Sequence, residues 1–166
     1  MAGSGLVLHE DDFLNLSRLV DVLMRQANAR FVTLIDRNGQ PIAWSGMMMQ
    51  LDRTALASLA AGNVAATETL ARMVGESAFC ALYHEGERDH LLIASVGDVA
   101  ILLIAFDERS SLGLVRLRVR QIGPSVEQLM RRVLARSQAD EANASARLGV
   151  PEITDEDIDN LFGDRF

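Results

Sequence analysis

Between Glu10 and Ala27 the apolar residues Phe13, Leu16, Val20, Leu23 and Ala27 recur at alternating three- and four-residue steps. That spacing keeps them on one face of a helix. Arg30 to Ile35 and Pro41 to Ser45 then have the composition of strands, and Asp36-Arg37-Asn38-Gly39-Gln40 between them offers an Asn-Gly pair suited to a tight hairpin. Leu51 to Val74 is rich in alanine and predicts a second helix, with Leu56, Leu59, Ala66, Leu70 and Met73 as its core-facing stripe. Ala78 to His84, His90 to Val96 and Val99 to Phe106 predict a three-stranded antiparallel meander, turning at Glu85-Gly86-Glu87-Arg88-Asp89 and at Gly97-Asp98.

From Leu112 the chain is ambiguous over a short window, since Leu114-Val115-Arg116-Leu117-Arg118-Val119-Arg120 alternates like a strand and also fits a helix. Length decides for helix: Leu112, Val115, Val119, Ile122, Val126, Leu129 and Val133 keep the three-four spacing, with Ser110 or Ser111 as cap. Gly123-Pro124 falls inside this run and predicts a kink or a short break. Gln138 to Pro151 loses the periodicity and predicts a flexible linker. Beyond it, Thr154 as cap, Asp157 three residues on and Ile153 placed to pack on Ile158 predict a short tail helix. The expected organisation is a domain over residues 1–137, a linker over 138–152 and a tail over 153–166. The order α-β-β-α-β-β-β-α defines an α+β sandwich in which helices cover an antiparallel sheet.

Composition narrows the chemistry. The net charge of −7 argues against tracking a phosphate backbone, so nucleic acid is not an expected partner. All sixteen basic residues are arginine, and the missing lysine removes Walker A nucleotide hydrolases, protein kinases and pyridoxal enzymes. One cysteine, Cys80, leaves no internal disulfide and no thiolate pair for zinc. The longest apolar stretch, Val99 to Phe106, is too short to cross a bilayer, and the expected location is the cytoplasm. Cys80 and His84 fall on one strand face with His90 across the turn, which admits a metal site or Cys-His chemistry. The plainer alternative makes Cys80 a core residue by strand alternation and the histidines polar ends of a hairpin. No cofactor is expected.

The chain resembles the Roadblock/light-chain-7 family and, within it, the bacterial MglB branch. The resemblance is carried by Asp36-Arg37-Asn38-Gly39-Gln40, by Leu56-Ala57-Ser58-Leu59-Ala60-Ala61-Gly62-Asn63-Val64-Ala65-Ala66, by Ser111-Leu112-Gly113-Leu114-Val115-Arg116-Leu117-Arg118 and by Ile153-Thr154-Asp155-Glu156-Asp157-Ile158-Asp159-Asn160-Leu161-Phe162. It implies a five-stranded sheet between helices and a side-by-side homodimer in which two sheets join and the second helices lie together. It further implies a Ras-like small GTPase of the MglA type as partner, activated by a dimer on one GTPase, in bacterial motility or cell polarity. Other polarity or motility proteins are further candidate partners, and enrichment at a cell pole a candidate location.

Two segments are the candidate sites. Helix two carries a stripe of small and polar residues, Ser58, Ala61, Gly62, Ala65, Thr69 and Arg72, along which another backbone could approach closely. Taken by itself, such a stripe equally suits packing on the chain's own sheet or on a dimer mate; the resemblance assigns it to the GTPase switch region. The tail, through Ile153, Asp157, Ile158, Leu161 and Phe162, combines clustered apolar residues with acidic ones, which suits folding on a partner groove and also a solvated acidic terminus. Arg53, Arg72, Arg109, Arg116 and Arg118 are arginine-finger candidates by type. The resemblance instead implies an activator that supplies no catalytic residue and repositions those of the GTPase. The alternative function is a Roadblock-type scaffold without effect on nucleotide turnover; a small-molecule sensor domain is weaker, since no polar cluster converges on an apolar pocket.

Overall fold

The first periodic run becomes α1, Glu10–Gln26, followed by the strands β1, Phe31–Asp36, and β2, Pro41–Gly46. The remaining elements are α2, Arg53–Met73, then β3, Ala81–His84, β4, His90–Val96, β5, Ala100–Phe106, and α3, Leu112–Leu148. The computed structural model describes residues 6–47 and 52–148. The elements follow the predicted α-β-β-α-β-β-β-α order; all strand pairs are antiparallel, and the five strands lie in the order β2-β1-β5-β4-β3. The edge strands are β2 and β3.

The backbone of Asp36-Arg37-Asn38-Gly39-Gln40 closes the first hairpin as its residue types dictate. The Asp36 carboxylate accepts from the backbone N–H groups of Asn38 at 2.9 Å and Gln40 at 2.7 Å, and Gly39 takes φ +85. At the end of β2, Gly46 has φ +93, and a Cβ there would sit 2.2 Å from the Arg30 carbonyl oxygen. Gly46→Ala is therefore expected to destabilise the fold by about 2–3 kcal/mol, read as a lower urea midpoint with an unchanged m-value.

Alternation sorts the sheet into two cores. Phe31, Ile35, Ile93, Ile101, Leu103 and Ala105 face α2 and pack with its Ala57, Ala60 and Val64. The intervening side chains point the other way, where the hydroxyl of Ser45 on β2 donates to Asp21 of α1 at 2.9 Å and where Leu92 and Ala94 of β4 meet α3. Leu16, Val20, Leu23 and Ala27 are completely buried, each leucine being worth about 1.5–3 kcal/mol relative to exposure. Phe13, expected among them, is 37% exposed: the buried line continues four residues back from Leu16 to Asp12 instead of three back to Phe13.

Helix α2 departs further from expectation. Of the predicted core stripe only Leu56 packs against the core, half-buried, while Ala66 is exposed, as are Leu59 at 68%, Leu70 at 57% and Met73. The face turned inward is Ala57, Ala60, Val64 and Ala71, which repeats at helical spacing as well and lets the helix backbone lie close on the sheet. Asp52 caps this helix, accepting from the Ala55 backbone N–H at 3.0 Å.

Helix α3 starts as expected, with Ser111 Oγ accepting from the Leu114 N–H at 3.2 Å. It is assigned as helix without interruption through Gly123-Pro124 and on to Leu148. The segment 138–148, for which a linker was expected, is therefore helical; its four alanines, Gln138, Glu141 and Arg147 are strong helix formers that need no apolar stripe to propagate an existing helix. Residues 149–152 and the tail helix expected from Thr154 to Phe162 lie outside the described residues. By contacts the chain divides into a unit spanning Leu8–Val133 and a second made of the flanking segments, in whose described part the Val7 N–H donates to Ser137 Oγ at 3.0 Å. No helix among the described residues is long and apolar enough to cross a membrane.

Candidate functional site

The small-residue stripe lies outward on α2: Ser58, Gly62, Ala65, Thr69 and Arg72 are exposed and Ala61 is half-buried. Its two sides meet different neighbours. On one side, the Cβ that Gly39 lacks would be 3.0 Å from Ser58 Cα and 3.4 Å from Ala61 Cβ, so the first hairpin rests on this part of the helix. Arg37 of the same hairpin pairs with Glu68. Ser58 and Ala61 are thus shared between the hairpin and any ligand, and Gly62, Ala65, Thr69 and Arg72 form the open part. The Thr69 hydroxyl donates back to the Ala65 carbonyl at 3.2 Å, and Arg72 donates to that hydroxyl at 3.0 Å, which ties down both polar side chains.

The other side of α2 faces β3. Val64 and Thr67 line a small crevice with Phe79, Ala81 and Leu82. Asn63 and Leu70, four and three positions from Thr67, share its side, and one turn further in each direction so do Leu59 and the C-cap residue Val74. Leu59, Leu70 and Val74, the last 68% exposed, therefore form an apolar flank beside the unpaired edge of β3. The sequence reading missed this flank because it assigned the leucines to the core. The competing alanine period, Ala57, Ala60, Val64 and Ala71, was the signal that could have moved them outward.

The arginine-finger candidates are mostly engaged. Arg53 lies 4.2 Å over the Trp44 ring, Arg109 bonds Asp107 at 2.9 Å and Arg118 donates to Gln121 at 2.8 Å. The Asp107 carboxyl is held below its ordinary value, chiefly by the bond from Arg109. Cys80 is exposed rather than buried: the strand expected from Ala78 begins at Ala81, so Cys80 precedes it and strand alternation does not apply there. His90 Nδ1 lies 3.2 Å from the Tyr83 hydroxyl and its ring packs 5.4 Å from that of Phe106, while no metal-ligating group of three or more side chains occurs among the described residues.

A second concavity, of about 490 Å³, lies on the opposite sheet face between β3-β4 and the first half of α3. Leu92, Ala94 and Val119 give it an apolar floor, Phe79 and Cys80 stand at the β3 end, and Arg116 and Arg120 stand on the helix. At its far end Glu127 accepts from Arg131 at 2.8 Å, and Arg131 also reaches Asp98 at 2.6 Å. The Asp98 carboxyl is held low by a hydrogen bond from its own backbone N–H and then by Arg131, whose guanidinium is in turn shifted upward, first by Glu127.

A sandwich of one five-stranded antiparallel sheet, with a close-packed alanine helix on one face and two helices on the other, defines a Roadblock-type module. The family model described as Roadblock/LC7 domain matches residues 16–106, and the chain belongs to that family. It is similar to MglB of Myxococcus xanthus, at 41% identity over 77% of this chain and 96% of that one, with a TM-score of 0.71. The gliding protein MglB of Thermus thermophilus is 31% identical over 77% of this chain and 97% of its own, also at 0.71. An MglB described with a tetrameric arrangement is 30% identical over 78% of this chain and 97% of its own, at 0.73. No curated protein matches the sequence.

Proposed function

We propose that the chain is an activator of a Ras-like small GTPase of the MglA type, acting as a homodimer in a bacterial motility or polarity system. The observation that carries this reading is the division of exposed α2 into two flanks. An apolar flank, Leu59, Leu70 and Val74, adjoins the open β3 edge, which suits pairing of two sheets and two second helices. A small-residue flank, Gly62, Ala65, Thr69 and Arg72, is left for the GTPase, with Ser58 and Ala61 at its hairpin border.

The chain is a regulator without a catalytic side chain of its own. Arg53, Arg72, Arg109 and Arg118 are held by neighbours within the chain, and Arg116 stands on α3 at the sheet face opposite α2, which supports activation through differential binding of one switch conformation over insertion of a finger. The switch segments, once ordered against a flat platform, place the GTPase's own groups around the attacking water. Single-turnover GTP hydrolysis by the cognate GTPase, with and without this protein, tests the reading. Acceleration is the expected result; tight binding with no acceleration would establish the scaffold function instead.

The tail, residues 153–166, serves in this proposal as a tethered second contact through Ile153, Asp157, Ile158, Leu161 and Phe162. Truncation after Pro151 is expected to weaken GTPase binding about 10- to 100-fold, since a tethered contact acts at high effective concentration. Equal affinity and equal nucleotide kinetics for the truncated and complete chains would end this part.

A further inference from the structure

The groove between β3-β4 and α3 lies on the sheet face opposite α2 and takes no part in the GTPase platform. Its chemistry is unlike that of the chain as a whole. Arg116 and Arg120 stand one helical turn apart on its wall, both exposed, and neither has a hydrogen bond or ion pair among the described residues. The acidic side chain at the groove, Glu127, is already bonded to Arg131. A chain of net charge −7 thus presents a concave site with two uncompensated guanidinium groups above an apolar floor.

The ligand that fits is acidic and apolar at once. Two acidic apolar segments stand out in the sequence, and one of them, Glu10 to Leu14, is built into α1. The other is 153–162, where Asp155 and Asp159 have the same four-residue spacing as Arg116 and Arg120, and Ile158, Leu161 and Phe162 recur at three- and one-residue steps. Carboxylate and guanidinium pairs in matching register make charge-assisted bonds while the apolar residues cover Phe79, which is 41% exposed, and half-buried Val119. The β3 end of the groove, at Phe79 and Cys80, opens toward the sheet edge where a second copy is proposed to join.

We propose that this groove receives residues 153–162 of a second copy of the chain. The inference rests on the paired arrangement put forward above and is independent of any GTPase. Docking there occupies the tail, so that the groove and the GTPase compete for one segment.

Cys80 is the single cysteine of the chain and is exposed at the groove, which makes it a ready reporter. Full-length chain carrying Cys80→Ala and Gly163→Cys is mixed with size-tagged chain retaining Cys80, equilibrated and oxidised under mild conditions, with no GTPase present. The expected product is a disulfide between Cys80 of one chain and the introduced thiol of the other. Its yield should exceed at least five-fold that obtained with the thiol placed by Ala2→Cys, and should fall at least five-fold when the tagged chain carries Arg116→Glu and Arg120→Glu. A yield no higher than the Ala2→Cys control, or one indifferent to the charge reversal, overturns the proposal. Light scattering on the same mixtures separates the two readings: a dimer without the cross-link refutes groove docking alone, and a monomer without it refutes pairing as well.

Discussion

Ala65→Arg is expected to abolish stimulation of GTP hydrolysis while leaving the protein folded and dimeric. Ala65 is exposed in the middle of the small-residue flank of α2, away from the buried Ala57-Ala60-Val64-Ala71 face and from the leucine flank beside β3. Arginine has high helix propensity and keeps its head in water at this position, so the fold loses little. A close backbone approach by a switch segment, however, would meet a long charged side chain where a methyl group stood. Unpaired charge and lost complementarity at an interface centre cost about 2–4 kcal/mol, or roughly 30- to 1000-fold in affinity. Single-turnover hydrolysis with the variant at saturating wild-type concentration, alongside light scattering, checks both halves. Stimulation at the wild-type rate would remove α2 as the platform.

Leu70→Arg should have the opposite pattern, breaking the dimer first. Leu70 is 57% exposed on the flank facing β3, and in a two-fold interface every residue is counted twice. Losing two leucine contacts and confronting two like charges is expected to cost about 3–6 kcal/mol per dimer, weakening association by roughly two to four orders of magnitude. Circular dichroism should change little, since the buried side of α2 is untouched. Sedimentation at micromolar concentration then reads a monomer; a dimer as tight as wild type would place the pairing surface elsewhere. If activation needs two copies, this variant also loses stimulation, and it can be told from Ala65→Arg by its mass.

The element order and strand pairing were legible because each segment has one dominant local signal. The Asp36 carboxylate bonds the turn its neighbours suggest, and β4 and β5 are apolar on both faces because both faces are covered. Helix α2 was misread in orientation since two apolar periods coexist there. A scale that rewards leucine over alanine chooses Leu59-Leu70-Met73 for the core, whereas close packing on a sheet favours the alanines. The end of α3 was misplaced for a related reason: loss of an apolar stripe at Gln138 signals loss of burial, and a helix already nucleated needs none to continue to Leu148. Residues Ser58, Ala61, Gly62, Ala65, Thr69 and Arg72 were found as a stripe, but their division between hairpin border and open surface depends on where Gly39 comes to rest, a long-range packing fact that no local pattern encodes.

The two margins of the sheet are unequal in a way that bears on polymerisation. At β2, Pro41 lacks an N–H, the register slips between Leu34 and Ile35, and Arg53 covers the Trp44 ring. At β3, a strand of four residues offers a bare ladder beside an apolar helix flank. A sheet adhesive on both margins could add copies without limit into a fibre, whereas one adhesive on a single margin exhausts its valence in the first match. In the proposed pairing, growth through β3 therefore stops at two, and any larger assembly is built from other surfaces.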